Sequence, residues 1–365
     1  MKLLSRIAAP LAALTIAATA FTAPAALASE VTPAQIAGDT PVSTIKEMSR
    51  AEIEASDRKW LQRTKDNPRV QKLNVYSPSM GRDIPVAVIT AKDGSQGAPT
   101  IYLLNGAGGA EQNMDWITSG KAAEFYEDKN VNVVIPMQGA FSYYLDWHDP
   151  NAGTKYIAGP QKWETFLTKE LPGPIEARLG ANNKRGIGGF SMSATSSLLL
   201  PQKVPGFYDV AGSFSGCAAT STLLPYQYGK VTVNRGGVQP ETVWGPMGGA
   251  YNRENDALVN AEKLRGTELY ISNASGFAGE KDLPGYYIEK GADPAAASAG
   301  SLTLIAEGGV IEAATNQCTH DLKAKLDRAG IPADYNLRAT GTHSWNYWIE
   351  DMEQSWPTFA RALGV

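Results

Sequence analysis

The sequence predicts an α/β fold with a mostly parallel central sheet and helices on both faces. Three observations carry that expectation. Apolar runs of strand length recur along the chain, segments of helical pattern alternate with them, and no repeat or long linker interrupts the order. The strand-like runs are LNVYS from Leu73, PVAVIT from Pro85, TIYLLN from Thr100, VNVVIP from Val131, RGIGGF from Arg185, FYDVAGSFS from Phe207, TELYIS from Thr267 and ADYNLRA from Ala333. Between them, ITSGKAAEFYED from Ile117, KWETFLTKELPGPIEARL from Lys162, SATSSLLL from Ser193 and VIEAATNQCTHDLKAKLDRA from Val310 read as helices, the last stopped by Gly330. Parallel strands joined through helices leave a sheet covered on both sides.

The ends of the chain read differently from its middle. Residues 1–28 carry Lys2 and Arg6, then an Ala/Leu/Ile-rich stretch interrupted by Pro10, then Ala26-Leu27-Ala28. That pattern predicts a secretory signal peptide cut after Ala28, since the apolar stretch is shorter than the roughly 20 residues that span a bilayer. A retained anchor is the alternative, and no cysteine stands at the cut to carry a lipid. Residues 29–68 are polar and charged, with a helical stretch expected from about Ser43 to Thr64 in which Ile45, Met48, Ile53 and Trp60 are the apolar positions. They read as an N-terminal helical arm packed on a catalytic domain at 69–365. Gly212 to Tyr251 is rich in turn residues and reads either as an excursion covering a site or as ordinary surface.

Charge and cysteine content narrow the class. The chain of 365 residues has a formal charge of -4, which becomes -6 once Lys2 and Arg6 leave. With no basic block, nucleic acid is not an expected partner. Cys217 and Cys318 permit one disulfide in an oxidising exterior, or two buried thiols. No Cys/His spacing suggests a metal site, and no cofactor is expected.

The chemistry concentrates at "GIGGFSMSATSSLLL", residues 186–200. A serine hydroxyl becomes a nucleophile when a base takes its proton and a sharp strand-to-helix turn presents it. Gly189-Phe190-Ser191-Met192-Ser193 follows a strand-like run and precedes a helix, which makes Ser191 the candidate and Ser193 the occupant of a small-residue slot. Ser196 and Ser197 fall inside the helix, where packing or backbone hydrogen bonds are expected. The histidines are His148, His320 and His343. The order Ser, acid, His of the α/β-hydrolases excludes His148 as base and prefers His343, in a Gly/Thr/Ser turn, over His320 in a charged helix. The acid stays open: Glu280, Asp282, Glu307, Glu312 and Asp321 all lie between Ser191 and His343. The loop Asn105-Gly106-Ala107-Gly108-Gly109 after an early strand can supply one oxyanion donor and the residue after the nucleophile the other, each worth roughly 3 to 4 kcal/mol in the transition state.

These residues resemble those of the secreted mycolyltransferases (mycoloyltransferases) of the antigen 85 family, corynebacterial type. SPSMGRDIPV at 77–86, YLLNG at 102–106, DWHDP at 146–150, KWETFLTKELP at 162–172, GFSMS at 189–193, WGP at 244–246 and GTHSWNYW at 341–348 recur in that family's order. The resemblance implies an α/β-hydrolase fold and a Ser-Glu-His triad of Ser191, Glu312 and His343, with Glu307 as the reserve acid. It also implies oxyanion donors at the amides of Ala107 and Met192, and Asn105, Gly106 and Trp345 are expected to bind substrate. The family commonly carries Asp-Gly-Leu-Arg where this chain has Asn105-Gly106-Ala107-Gly108, so charged contacts to trehalose are missing.

The expected function is that of an exported acyltransferase of the cell envelope. It would move a mycoloyl (corynomycoloyl) chain from trehalose monomycolate to an acceptor hydroxyl of trehalose monomycolate, wall arabinogalactan or protein, through an acyl-serine. A secreted carboxylesterase using water and a catalytically silent wall-binding protein are the alternatives.

Overall fold

The computed structural model describes residues 31–365, so the expected signal peptide and its cut at Ala28 lie outside the described residues. The centre is a nine-stranded sheet: β1 Thr44–Glu47, β2 Val70–Ser77, β3 Arg82–Ile89, β4 Thr100–Leu104, β5 Asn132–Pro136, β6 Arg185–Phe190, β7 Val210–Phe214, β8 Glu268–Ala274 and β9 Asp334–Arg338. The spatial order is β1-β2-β3-β5-β4-β6-β7-β8-β9. Strands β5, β4, β6, β7, β8 and β9 run parallel, and β1, β2 and β3 join antiparallel at one edge.

Strands β4, β5, β6 and β7 are buried along their whole length, as helices on both faces require. Two apolar clusters result. Tyr102, Leu104, Ile187, Leu198 and Ile271 lie in one, and Ile101, Leu103, Val133, Phe190 and Phe359 in the other. The expected α/β architecture is therefore present, and each strand-like run of the sequence forms a strand.

The N-terminal arm departs from expectation. Residues Thr44–Glu47 form edge strand β1, paired antiparallel with β2 from Thr44 opposite Tyr76 to Glu47 opposite Leu73. A short helix, Pro33–Ala37, precedes it, and within the expected helical stretch helix begins only at Arg50, where Ser49 and Glu52 form a capping box. Every residue of β1 except Ile45 is exposed, so its sequence carries no apolar alternation, and the charged side chains of Lys46 and Glu47 suit a sheet edge. The arm is tied into the body: Val31 O accepts from Arg185 Nη1 at 3.2 Å, and Trp60 is fully buried in the second cluster.

Two other segments also differ. The helix expected over 117–128 shrinks to Ala122–Tyr126, because Lys121 takes a left-handed φ of 54° and Trp116 and Ile117 are buried in the turn before it. The stretch 212–251 is largely helical beyond β7, with Leu223–Arg235, Pro240–Trp244 and the start of Ala250–Glu254. Trp244 packs edge-on against Tyr143, 4.7 Å between ring centres, and Tyr143 N–H reaches Met192 Sδ, so this excursion packs on a segment that touches the residue after Ser191.

Candidate active site

Strand β6 ends at Phe190 and the helix Met192–Lys203 begins two residues on, leaving Ser191 alone in the turn. Its backbone sits at φ 56°, ψ -121°, a conformation that costs a non-glycine residue energy and that persists only where its surroundings enforce it. They do so here. Ser191 N–H donates to Phe214 O at 2.9 Å, and Ser193 Oγ accepts from Phe190 N at 3.1 Å while donating to Leu104 O at 2.9 Å. Gly189 is obligatory, because a Cβ there would lie 2.5 Å from Ser193 O. Ser193 thus does more than fill a small slot: its hydroxyl staples the turn to β4. Ser197 Oγ bonds Gly212 O at 2.8 Å and Ser196 Oγ bonds Tyr143 O, so both are structural, as expected.

His343 reaches the turn from the loop after β9. Its Nε2 lies 2.7 Å from Ser191 Oγ and its Nδ1 lies 2.8 Å from Glu312 Oε2. The other carboxylate oxygen, Glu312 Oε1, accepts from Ser215 Oγ at 2.8 Å and from Ala274 N–H at 2.7 Å. Glu312 is fully buried and every bond it makes is one that a carboxylate accepts. The other acids considered do not meet the imidazole. Glu280, Glu307 and Asp321 are exposed, and Asp282 is buried elsewhere, taking Thr342 Oγ1 at 2.7 Å and Tyr347 Oη at 2.9 Å. Through Thr342, Asp282 pins the loop on which His343 stands. His148 and His320 are exposed, and among the described residues it is His343 that bonds Ser191 Oγ.

The two amides expected as oxyanion donors have no acceptor among the described residues. Met192 N–H opens its helix, where no preceding turn can take it. At the other donor, Gly106 O accepts from Gly109 N–H at 3.1 Å, and a planar trans peptide then points Ala107 N–H the opposite way. A strap that the sequence did not announce holds both residues. Phe141 N–H donates to Ala107 O at 2.9 Å, and Tyr143 N–H to Met192 Sδ at 3.3 Å. Phe141, Tyr143 and Tyr144 all have positive φ, at 59°, 55° and 49°. Aromatic side chains argue against that conformation, which is why "GAFSYY" gave no signal. Glu111 Oε1 anchors the strap by accepting from Gly139 N–H at 2.9 Å and Ala140 N–H at 3.4 Å.

The expected substrate-binding residues separate. Asn105 is a correction: it is fully buried, with Nδ2 donating to Pro136 O at 2.9 Å and Oδ1 accepting from Trp116 N–H at 3.0 Å. Its amide is spent on the fold. Gly106 allows Phe190 to pack, since a Cβ would sit 2.5 Å from that ring. Trp345 is half-buried in an aromatic wall with Trp116, Phe190 and Trp348, ring centres 5.7, 4.6 and 5.2 Å away. Trp348 also meets His343 edge-on at 4.9 Å. The disulfide is formed between Cys217 and Cys318. It joins the segment carrying Ser215 to the helix carrying Glu312.

The Esterase family model matches residues 77–359. The chain is 31% identical over 305 residues to the diacylglycerol acyltransferase/mycolyltransferase Ag85A of Mycobacterium tuberculosis, spanning 81% of this chain and 82% of the relative. To Ag85B of Mycobacterium intracellulare it is 30% identical over 303 residues, 81% of this chain and 84% of the relative. Among solved structures, MPT51 (FbpC1) of Mycobacterium tuberculosis superposes with a TM-score of 0.65 at 23% identity, over 80% of this chain and 98% of that one. An S-formylglutathione hydrolase from Agrobacterium tumefaciens gives 0.54 at 17% identity, over 81% and 96%. These two likenesses speak to the fold, the α/β-hydrolase fold.

Proposed function

The chain belongs to the Esterase family and, within it, to the antigen 85 mycolyltransferases, and from that premise we propose an exported serine acyltransferase acting in the cell envelope. Ser191, His343 and Glu312 are its triad. The donor is a trehalose monomycolate-like ester and the acceptor a hydroxyl of a second glycolipid, of wall arabinogalactan or of a protein.

The steps follow from the atoms. His343 Nε2 takes the proton of Ser191 Oγ as that oxygen attacks the donor carbonyl, and Glu312 holds the resulting imidazolium through Nδ1. The carbonyl oxygen becomes an oxyanion facing the free N–H groups of Ala107 and Met192. Collapse breaks the ester bond, and the trehalose oxygen leaves with the proton from Nε2. The acceptor hydroxyl then gives its proton to Nε2 and attacks the acyl-serine. The second collapse returns the proton to Ser191 Oγ and releases the new ester.

One observation carries the reading: an unbroken hydrogen-bond relay from Ser191 through His343 to a buried Glu312, beside two amides with no acceptor among the described residues. Hydrolysis is the second reading, favoured by the hydrolase fold of the S-formylglutathione hydrolase neighbour, because the same relay can activate water. Mass spectrometry of products from a defined trehalose ester with competing hydroxyl acceptors tests both. Transfer product in excess of free acid supports the proposal, and free acid alone refutes it. Failure of a serine-directed phosphonate to label Ser191 would instead indicate a silent wall-binding protein.

A further inference from the structure

Residues 339–344, which carry His343, run from the end of β9 to the start of the helix Trp345–Leu363. Such a loop sets an imidazole against a serine only where its stems and its tip are held, because free backbone spreads over many conformations. The tip is held by Gly341 N–H on Phe277 O at 2.6 Å, His343 N–H on Gly308 O at 3.1 Å and Thr342 Oγ1 on Asp282. The stems are held by an ion pair. Arg338, the last residue of β9, meets Asp351 of the following helix through Nη1 on Oδ1 and Nη2 on Oδ2, the second at 3.0 Å. Asn336 Nδ2 adds a bond to Oδ1 at 3.2 Å. Asp351 is fully buried, and the Arg338 side chain is 14% exposed. Its guanidinium carbon lies 5.3 Å from the ring centre of Tyr347, whose Oη donates to Asp282 Oδ2 at 2.9 Å. One network therefore joins the stems of the loop to its tip.

We propose that Arg338 and Asp351 are positioning residues for His343: the pair clamps the two stems of its loop, and Arg338 offsets the second buried negative charge beside Glu312. Two arguments carry this beyond a role in the fold. A buried ion pair is a poor source of stability, since apolar residues of similar volume are often as good or better. Orientation and charge are what it supplies instead. The pair also reaches the relay. In the parallel ladder Arg338 stands opposite Ala274, whose N–H holds Glu312 Oε1 at 2.7 Å. Burial raises the Asp351 carboxyl above its ordinary range, Arg338 pulls it back, and the Glu312 charge adds to the rise. The other titratable groups around the pair are Tyr270 from β8, Asp334 from β9, Tyr347 with Asp282, and Glu350, which Lys281 bonds. The imidazole itself is bonded by Glu312 and Ser191, and Glu307 is exposed on the turn that takes its backbone N–H.

The inference rests on the Ser191–His343–Glu312 relay of the proposed function. Arg338→Met with Asp351→Leu removes both charges at similar volume, and this double variant should keep a thermal melt near or above the parent's. Its kcat for a short soluble ester should fall at least about tenfold, with KM within about twofold of the parent. Asp351→Asn instead leaves Arg338 as an unmatched cation, which opposes the imidazolium. The titration of the His343 ring, followed by NMR, and the acidic limb of kcat/KM should both move down by about half a pH unit or more, and return in the double variant. Arg338→Lys keeps the charge without the two-pronged bond, so the titration should stay in place while part of kcat is lost. Full kcat in the double variant overturns the proposal, as does a His343 titration unmoved in Asp351→Asn. So does a kcat loss that disappears on assay well below a lowered melt, which would assign the pair to stability alone. Where Asp351→Asn does not fold, the double variant and Arg338→Lys decide. A parent without Ser191-dependent ester turnover refutes the relay and this inference with it, whereas an active parent beside an equally active double variant refutes the inference alone.

Discussion

Ser215 Oγ donates a 2.8 Å hydrogen bond to Glu312 Oε1, on the side of the carboxylate turned away from His343. With Ala274 N–H on the same oxygen, the carboxylate is held in place before any substrate arrives. Glutamine cannot reproduce this set, because its NH2 group would face either the Nδ1–H of His343 or the two donors on the far side. Glu312→Gln is expected to lower kcat by roughly 10³- to 10⁴-fold with little change in KM. Steady-state kinetics beside a thermal melt checks it, and a tenfold loss or less would remove Glu312 from the relay.

Ser191→Ala should abolish phosphonate labelling and lower kcat by roughly 10⁶-fold. The turn should survive, since Ser193 and the Ser191 N–H bond to Phe214 O hold it without the hydroxyl. A protein that keeps its melting temperature but loses its acyl-enzyme mass adduct is the expected outcome.

The disulfide Cys217–Cys318 spans 101 residues of sequence and joins the Ser215 segment to the Glu312 helix. Replacing both cysteines by serine should cost about 2–5 kcal/mol of stability, read from denaturant unfolding. It should also reduce kcat by loosening the far side of Glu312, and a variant with lower stability but full kcat at low temperature would separate the two roles.

Asn105→Asp places the acid common in the family at this position, yet trehalose binding should not improve. The buried amide gives an N–H to Pro136 O that a carboxylate lacks. The substitution is expected to destabilise by about 1–3 kcal/mol. A lower KM for a trehalose ester in the variant would contradict the structural role assigned to Asn105.

Burial holds the Glu111 carboxyl above its ordinary value, against the lowering pull of the Gly139 and Ala140 N–H groups. The folded protein thus binds this proton more tightly than the unfolded chain. The stability that this difference supplies is present at low pH and is lost as pH rises from the ordinary carboxyl range through the raised folded value. Glu111→Gln removes that dependence. Melting temperature against pH should show the variant gaining on the parent across this window, whatever their constant offset, and parallel curves would refute it. Glu111→Ala also frees the strap and should lower kcat more than it raises KM.

Much of the architecture is legible in the chain because burial on both faces imposes apolar runs on every central strand, as at Ile101–Leu104 and Val133–Ile135. Thr44–Glu47 escaped because an edge strand exposed on both faces has no such constraint. Ser191 is legible because the elbow needs small neighbours at Gly189 and Ser193, and His343 because few histidines compete with it.

What the sequence by itself determined is therefore the order of elements, and the serine and histidine that the fold brings together. Their signals are local: steric demand at a turn, periodic burial along a strand. The residues left the acid open and the family resemblance pointed to Glu312, the carboxylate that the structure sets against the imidazole; tertiary structure alone decided that Asp282 serves Thr342, that Asn105 is turned inward, and that a strained strap holds Ala107 and Met192. Each of these is a choice of hydrogen-bond partner between segments brought together only by the sheet, where a buried donor or acceptor takes whichever group the fold sets beside it.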